Sequence, residues 1–113
     1  MHGYQVSFIT ELNRRIEGKQ TMEWLIHLAK ELGISGVTAF SGVESVGSHG
    51  RRHSARFFEL TDQPIEIMMA VTEGQAVKLF EKVNAADTRL FYIKTPIEYG
   101  ELGIQADGSL QGS

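Results

Sequence analysis

The sequence predicts an α+β domain of the ferredoxin-like class, in which two helices cover one face of an antiparallel sheet. Three observations lead to this prediction. The chain has 113 residues, which is the length of one domain with one hydrophobic core. Its apolar residues alternate between the strand period and the helix period, and the segments follow the order β-α-β, an extra strand, then β-α-β.

The first β-α unit begins with residues 4–12, where Tyr4, Val6 and Phe8 alternate with polar neighbours as in a half-buried strand. Residues 13–20 are polar and contain a turn-forming glycine, so we expect a solvated connection.

A helix is predicted next, because apolar residues recur at helical spacing and Gly33 follows them as a left-handed C-terminal residue. Trp24 and Leu28 widen the apolar surface, which predicts contact with a second surface such as another subunit. The apolar positions of this helix are Met22, Leu25, Ile26, Ala29 and Leu32.

The middle of the chain is predicted to form two strands on either side of an exposed loop. Residues 36–46 resemble a strand covered on at least one face, and residues 47–56 form the loop. Residues 57–60 give the extra strand, which ends in a turn at residues 61–64. Residues 65–71 follow as a buried strand.

The second helix is predicted to start at Thr72, which has the N-cap position of a capping box with Gln75. It should end near residues 84–86, and residues 89–95 alternate as the last strand. We expect one domain over residues 1–105, a flexible tail over 106–113, and no regular structure from Asp107 onward. The predicted apolar face of the helix consists of Val77, Leu79, Phe80 and Val83.

Composition excludes several functional classes. Eleven basic residues against fourteen acidic ones give a net charge of −3, which argues against a nucleic-acid-binding protein. There is no cysteine and no apolar run near the roughly 20 residues that span a bilayer, so we expect a cytoplasmic protein that is not embedded in a membrane. Helices on one sheet face leave the other face open, and assembly with further copies is the simplest way to cover it.

The predicted loop carries five basic or titratable side chains within eight residues: His49, Arg51, Arg52, His53 and Arg56. Arginine side chains bind phosphate or carboxylate in a bidentate manner, and backbone N–H groups around Gly47 and Gly50 would add to an anion site. The alternative is a solvated basic loop paired with Glu44 and Glu59.

Catalytic and metal motifs are not found in the sequence. It contains no Gly-x-Ser-x-Gly elbow, Walker loop or His-Glu-x-x-His motif, so we predict a protein that is not an enzyme and has no cofactor. His49 and His53 have the spacing of helical metal ligands, but they lie in a predicted loop, and no metal site is predicted.

Four segments resemble the PII superfamily of signalling proteins, most closely its uncharacterised DUF190 branch. They are residues 32–38 (LGISGVT), 42–47 (GVESVG), 51–55 (RRHSA) and 89–93 (RLFYI). The third matches the Arg-x-His-Ser/Thr-Ala pattern of that branch. The glycine-rich loop that PII proteins place before the last strand is replaced here by residues 84–88 (NAADT).

The resemblance implies a PII-like homotrimer that binds a small anionic effector, such as an adenine nucleotide, in clefts between subunits. It also implies that the loop at residues 44–56 presents a surface to a partner such as a transporter or an enzyme. The alternative is a trimeric ion-tolerance protein similar to the copper-tolerance family, with His49 and His53 as ligands. The predicted effector-binding residues are Gly47, Ser48, His49, Arg51, His53, Arg56 and Arg89.

Overall fold

The computed structural model describes residues 1–41, 64–104 and 110–111. The first half of this part contains β1 (His2–Glu11), β2 (Arg15–Ile16), β3 (Lys19–Gln20), α1 (Thr21–Glu31) and β4 (Val37–Ser41). The second half contains β5 (Pro64–Val71), α2 (Glu73–Ala85), β6 (Phe91–Glu98), β7 (Gly103–Ile104) and β8 (Leu110–Gln111).

The main sheet confirms the predicted ferredoxin-like arrangement. Within the described ranges its strands follow the order β4-β5-β1-β6, and each neighbouring pair is antiparallel. The predicted extra strand at residues 57–60 and the loop at residues 47–56 lie outside the described residues.

The core lies between the sheet and the two helices. The alternating residues of β5 that include Ile67 and Val71 are fully buried, as are Val6 of β1, Leu25 of α1 and Leu79 of α2. These buried residues pack in one continuous cluster, so both helices lie on the same face of the sheet.

The predicted helices agree closely with the structure. Gly33 follows α1 with φ +77°, and Thr72 caps α2 through a capping box with Gln75. The prediction that Val77 faces the core is wrong, because 53% of its surface is exposed. Ala76 takes the core position instead, three and seven residues before Leu79 and Val83 on one helical stripe.

The connection at residues 13–20, predicted to be a solvated segment, forms a small hairpin of β2 and β3. Glu17 and Gly18 turn it with positive φ angles of 53° and 83°, as in a type I′ turn. Ile16 is buried, and the indole N–H of Trp24 donates to Glu17 Oε1 at 3.1 Å. Trp24 is half-buried within its own chain, and its contact with another subunit stays a prediction.

Two further expectations need correction. The strand predicted to be covered on at least one face contains β4, where Thr38 to Ser41 are exposed on both faces, since consecutive strand residues point to opposite faces. Regular pairing also extends past Asp107, since β7 pairs with β8. The division into a domain at 1–105 and a tail at 106–113 stays a prediction. In the described part of the chain, no helix is both long and apolar enough to cross a membrane.

Candidate functional site

A cleft of about 880 Å³ opens where β1 ends and β6 begins. The register of these antiparallel strands pairs Ile9 with Phe91, so the residues after Ile9 lie beside the residues before Phe91. Thr10 and Glu11 therefore line the same space as Arg89. The C-terminal half of α2 forms another wall through Phe80 and other residues.

Two arginines lie at the rim of this cleft. Arg89 lies two residues before the start of β6, and Arg14 follows the end of β1; both side chains are exposed. An N–H of Arg14 Nη1 donates to the carbonyl oxygen of Arg89 at 3.4 Å, so the two residues lie next to each other. Glu11 adds one carboxylate, and the arginines leave the lining with a net positive charge suited to phosphate or carboxylate.

The backbone of Arg14 is held in place by its own part of the chain. Its N–H donates to the carbonyl of Glu11 at 3.1 Å, which closes a turn at the end of β1. Its carbonyl accepts from the N–H of Thr21 at 2.9 Å and from Thr21 Oγ1 at 3.1 Å. Because Thr21 is fully buried at the start of α1, the position from which the Arg14 side chain extends is fixed by the core.

Aromatic rings form another part of the lining. Phe80 and Tyr92 meet edge to face, with ring centroids 4.7 Å apart, and Phe80 also lies 6.3 Å from Phe8 in the core. Half of the Tyr92 surface is exposed. An exposed ring beside cationic side chains suits a ligand that combines a planar apolar part with an anionic group.

Thr10 contributes an unusual polar atom. The residue is 5% exposed, and its Oγ1 is buried without a hydrogen-bond partner among the described residues. Most buried side-chain oxygens are paired, since an unpaired one loses its bonds to water without replacement. Thr10 lines the cleft, although its Oγ1 is itself buried beneath the cleft surface.

The structure places one predicted site residue, Arg89, at this cleft. The other predicted residues lie outside the described part of the chain: Gly47, Ser48, His49, Arg51, His53 and Arg56. The Arg14 side chain is exposed, as expected for the charges of residues 13–20, and it also lines the cleft. The pairing of strand ends is the signal that finds Arg14, Thr10 and Glu11, because it brings the end of the first strand to the start of the last.

Metal ligands do not cluster in the described ranges. Among residues 1–41, 64–104 and 110–111, no three His, Asp or Glu side chains are placed to hold one ion. The alternative that assigns His49 and His53 as ligands concerns residues outside these ranges and is not tested by this observation.

Solved structures with the same fold are proteins described as PII-like. CPII of Thiomonas intermedia, a nitrogen regulatory PII-like protein bound to ADP, AMP and bicarbonate, matches with a TM-score of 0.56 and 17% identity. The match covers 88% of this chain and 97% of CPII. A second structure of CPII, bound to ADP and bicarbonate, matches with a TM-score of 0.53 and 22% identity over 89% of this chain and 91% of that one.

A candidate PII-like signalling protein of Thermus thermophilus matches with a TM-score of 0.56 and 14% identity over 86% of this chain and 87% of that one. A comparison with curated protein sequences gives no match. The DUF190 family, described as an uncharacterized ACR, matches residues 4–98. Because this match covers most of the sequence, the chain belongs to the DUF190 family, and it has the fold of PII-like signalling proteins.

Proposed function

We propose that this protein is a non-catalytic regulator that binds a small anionic effector, specifically an adenine nucleotide, in the cleft between the end of β1 and the start of β6. The observation that carries the proposal is the meeting of Arg14 and Arg89 beside exposed aromatic rings. The arginines match a phosphate, and the rings match a planar base.

The dimensions of the cleft support a ligand of nucleotide size. Its volume of about 880 Å³ lies within the range of roughly 300–1,000 Å³ that is usual for small-molecule sites. CPII, which shares the fold, is bound to ADP, AMP and bicarbonate, so these compounds are the first to test.

Assembly into a homotrimer is part of this proposal. Val6 and Phe8 of β1 face the core, so Ser7 and Ile9 between and beside them point to the sheet face opposite the helices. Phe91 and Ile93 of β6 pair with Ile9 and Ser7 and therefore lie on that same face. Ser7 and Ile9 are buried on this face within the chain, whereas Phe91 on the edge strand is 47% exposed, which supports a further copy covering this edge of the face. Light scattering should give three times the chain mass of 12.6 kDa. A uniform monomer at micromolar concentration contradicts the trimer and any cleft built from two subunits.

In this proposal the loop at residues 44–56 changes its order when the effector binds and presents a surface to a partner, such as a transporter or an enzyme. Its basic residues, Arg51 and Arg56 among them, would approach the cleft from a neighbouring segment or subunit. This step rests on the resemblance to PII proteins and on the charge of the loop.

A thermal-shift panel tests the proposed ligand class. AMP, ADP, ATP, cyclic AMP and bicarbonate are compared up to millimolar concentration, because the glycine-rich phosphate loop is replaced by residues 84–88. A ligand at a hundredfold excess over Kd adds about 2.7 kcal/mol to the apparent free energy of unfolding. Arg89→Ala should reduce the shift without lowering the melting temperature of the free protein, because its side chain is exposed.

Lys78→Ala is the control, since it removes an exposed cation of α2 that does not line the cleft. No shift with any of the five compounds contradicts the proposed effector class. Stabilisation by Cu²⁺ or Zn²⁺ alone, lost in a His49→Ala/His53→Ala variant, supports the ion-tolerance alternative instead.

A further inference from the structure

We infer that Thr10 and Arg14 form a subsite that binds one oxyanion group of the effector, so that the end of β1 and the turn after it determine which anions the cleft accepts. The inference rests on the proposed function, because it concerns the same cleft. It assigns a ligand-binding role to two residues outside the basic loop and outside the segment that begins β6.

The first step concerns the surroundings of the Thr10 hydroxyl. Among the buried side-chain oxygen and nitrogen atoms of the described residues, Thr10 Oγ1 is the one without a hydrogen-bond partner. Its register partner on β5 is Ile65, an apolar residue that offers no side-chain acceptor. Thr10 also lines the cleft, and because Oγ1 is itself buried, a rotation about χ1 is what brings this hydroxyl within reach of a ligand atom there.

The second step concerns the Arg14 guanidinium. Its single hydrogen bond in the described structure, to the carbonyl of Arg89, is 3.4 Å long and therefore weak. The guanidinium has further N–H donors, and two parallel bonds to an oxyanion are shorter and stronger than a long bond to a carbonyl. An anion in the cleft can thus replace the Arg89 carbonyl as the partner of this guanidinium, with little loss of hydrogen-bond energy. The Arg14 backbone meanwhile stays bonded to Thr21.

Together these groups define the chemistry of the ligand. Thr10 donates one hydrogen bond and Arg14 donates two, which matches a group with at least two oxygen acceptors and a negative charge. Phosphate and carboxylate, including bicarbonate, share this chemistry. Separate titrations with ADP, inorganic phosphate and bicarbonate show whether the subsite binds a phosphate or a carboxylate-like group.

Isothermal titration of Thr10→Val tests the subsite, because valine keeps the shape of threonine and removes the hydroxyl. The free variant should melt at or above the wild-type temperature, since an unpaired buried hydroxyl is replaced by a methyl group. Its affinity for ADP should nevertheless fall about tenfold, as expected for the loss of a hydrogen bond to a charged group. Arg14→Gln should weaken ADP binding at least as much.

Two controls keep the result specific. Thr10→Ser retains the hydroxyl and should bind ADP within about threefold of the wild type. Arg15→Gln removes a neighbouring cation whose guanidinium donates to Gly18 of its own hairpin, and it should bind like the wild type.

The outcomes separate this inference from the proposed function. Wild-type binding of ADP with undiminished affinity in Thr10→Val overturns the subsite and leaves the proposed function intact. Equal losses in Thr10→Val and Thr10→Ser also overturn it, because the hydroxyl is then not the cause. If the wild type binds neither ADP, phosphate nor bicarbonate, the proposed function and the subsite both fail.

Discussion

A threonine lies at each of the two junctions where a core strand leads toward a helix: Thr10 at the first junction, between β1 and α1, and Thr72 at the second, between β5 and α2. The two threonines differ in their hydrogen bonding. The first strand ends in Phe8-Ile9-Thr10-Glu11, and the corresponding strand of the second half leads into Ala70-Val71-Thr72-Glu73. In the second junction, Thr72 Oγ1 accepts from the N–H of Gln75 at 3.1 Å, and Gln75 Oε1 accepts from the N–H of Thr72 at 2.9 Å. In the first junction, Thr10 Oγ1 has no partner among the described residues.

The difference arises from the hairpin inserted after β1. Because β2 and β3 intervene, α1 starts at Thr21, and its N-cap residue Gln20 makes no side-chain capping bond within the described ranges. The helix is anchored instead by Thr21 to the carbonyl of Arg14. The second junction thus uses its polar groups to build the fold, whereas the first leaves Thr10, Glu11 and Arg14 at a cleft.

Gln75→Ala should have the largest effect on stability. Besides its capping bond to Thr72, the Gln75 side-chain amide donates to the carbonyls of Leu32 and Gly33 at 3.3 and 3.1 Å. Losing three bonds should lower the free energy of unfolding by about 2 kcal/mol. Urea denaturation measures this loss, with Glu81→Ala on the exposed face of α2 as the control. A loss no greater than that of the control contradicts a structural role for the second junction.

Thr21→Val should have a smaller effect. Thr21 is fully buried, and its hydroxyl donates to the Arg14 carbonyl at 3.1 Å, so the variant loses about 1 kcal/mol of unfolding free energy. Thr10→Val, measured alongside it, should lose nothing. If Thr10→Val and Thr21→Val lose similar amounts of unfolding free energy, Thr10 has a stabilising partner. Thr10 would then help to hold the fold together, as Thr21 does, instead of being available to a ligand.

Glu11→Gln should have the smallest effect, on affinity rather than stability. Its carboxylate lines the cleft beside the two arginines, so removing the negative charge should strengthen ADP binding by roughly threefold at low salt. The gain should shrink as ionic strength rises. Glu98→Gln at the far end of β6 is the control, and an equal gain there would mean that only the net charge of the protein matters.

The sequence predicts features that depend on near neighbours in the chain. The capping box of Thr72 and Gln75 and the left-handed Gly33 are local patterns, and both are confirmed. The hairpin turn at Glu17 and Gly18 is also local, but a polar composition around one glycine suggests only a connection. The burial of Ile16 in this hairpin depends on the packing of α1, which the local sequence does not show.

The cleft depends on residues that are distant in sequence. Arg89 is found from the resemblance of residues 89–93 to the last PII strand, but its proximity to Arg14 follows from the register that pairs Ile9 with Phe91. That Thr10 Oγ1 lacks a hydrogen-bond partner among the described residues is even harder to predict from the sequence, because it depends on every side chain packed around the hydroxyl. Sequence patterns show which residue types are present, whereas the packing decides which of them lack a partner.

Hydrogen–deuterium exchange with and without saturating ADP tests the central claim that the first junction holds the effector while the second holds the fold together. Binding in the cleft should slow exchange with ADP in residues 10–14 and 84–92. It should cause no change in residues 72–75, where the capping box is complete without a ligand. Protection confined to residues 72–75, or no protection at residues 10–14 while ADP is bound, would show that the first junction does not hold the effector.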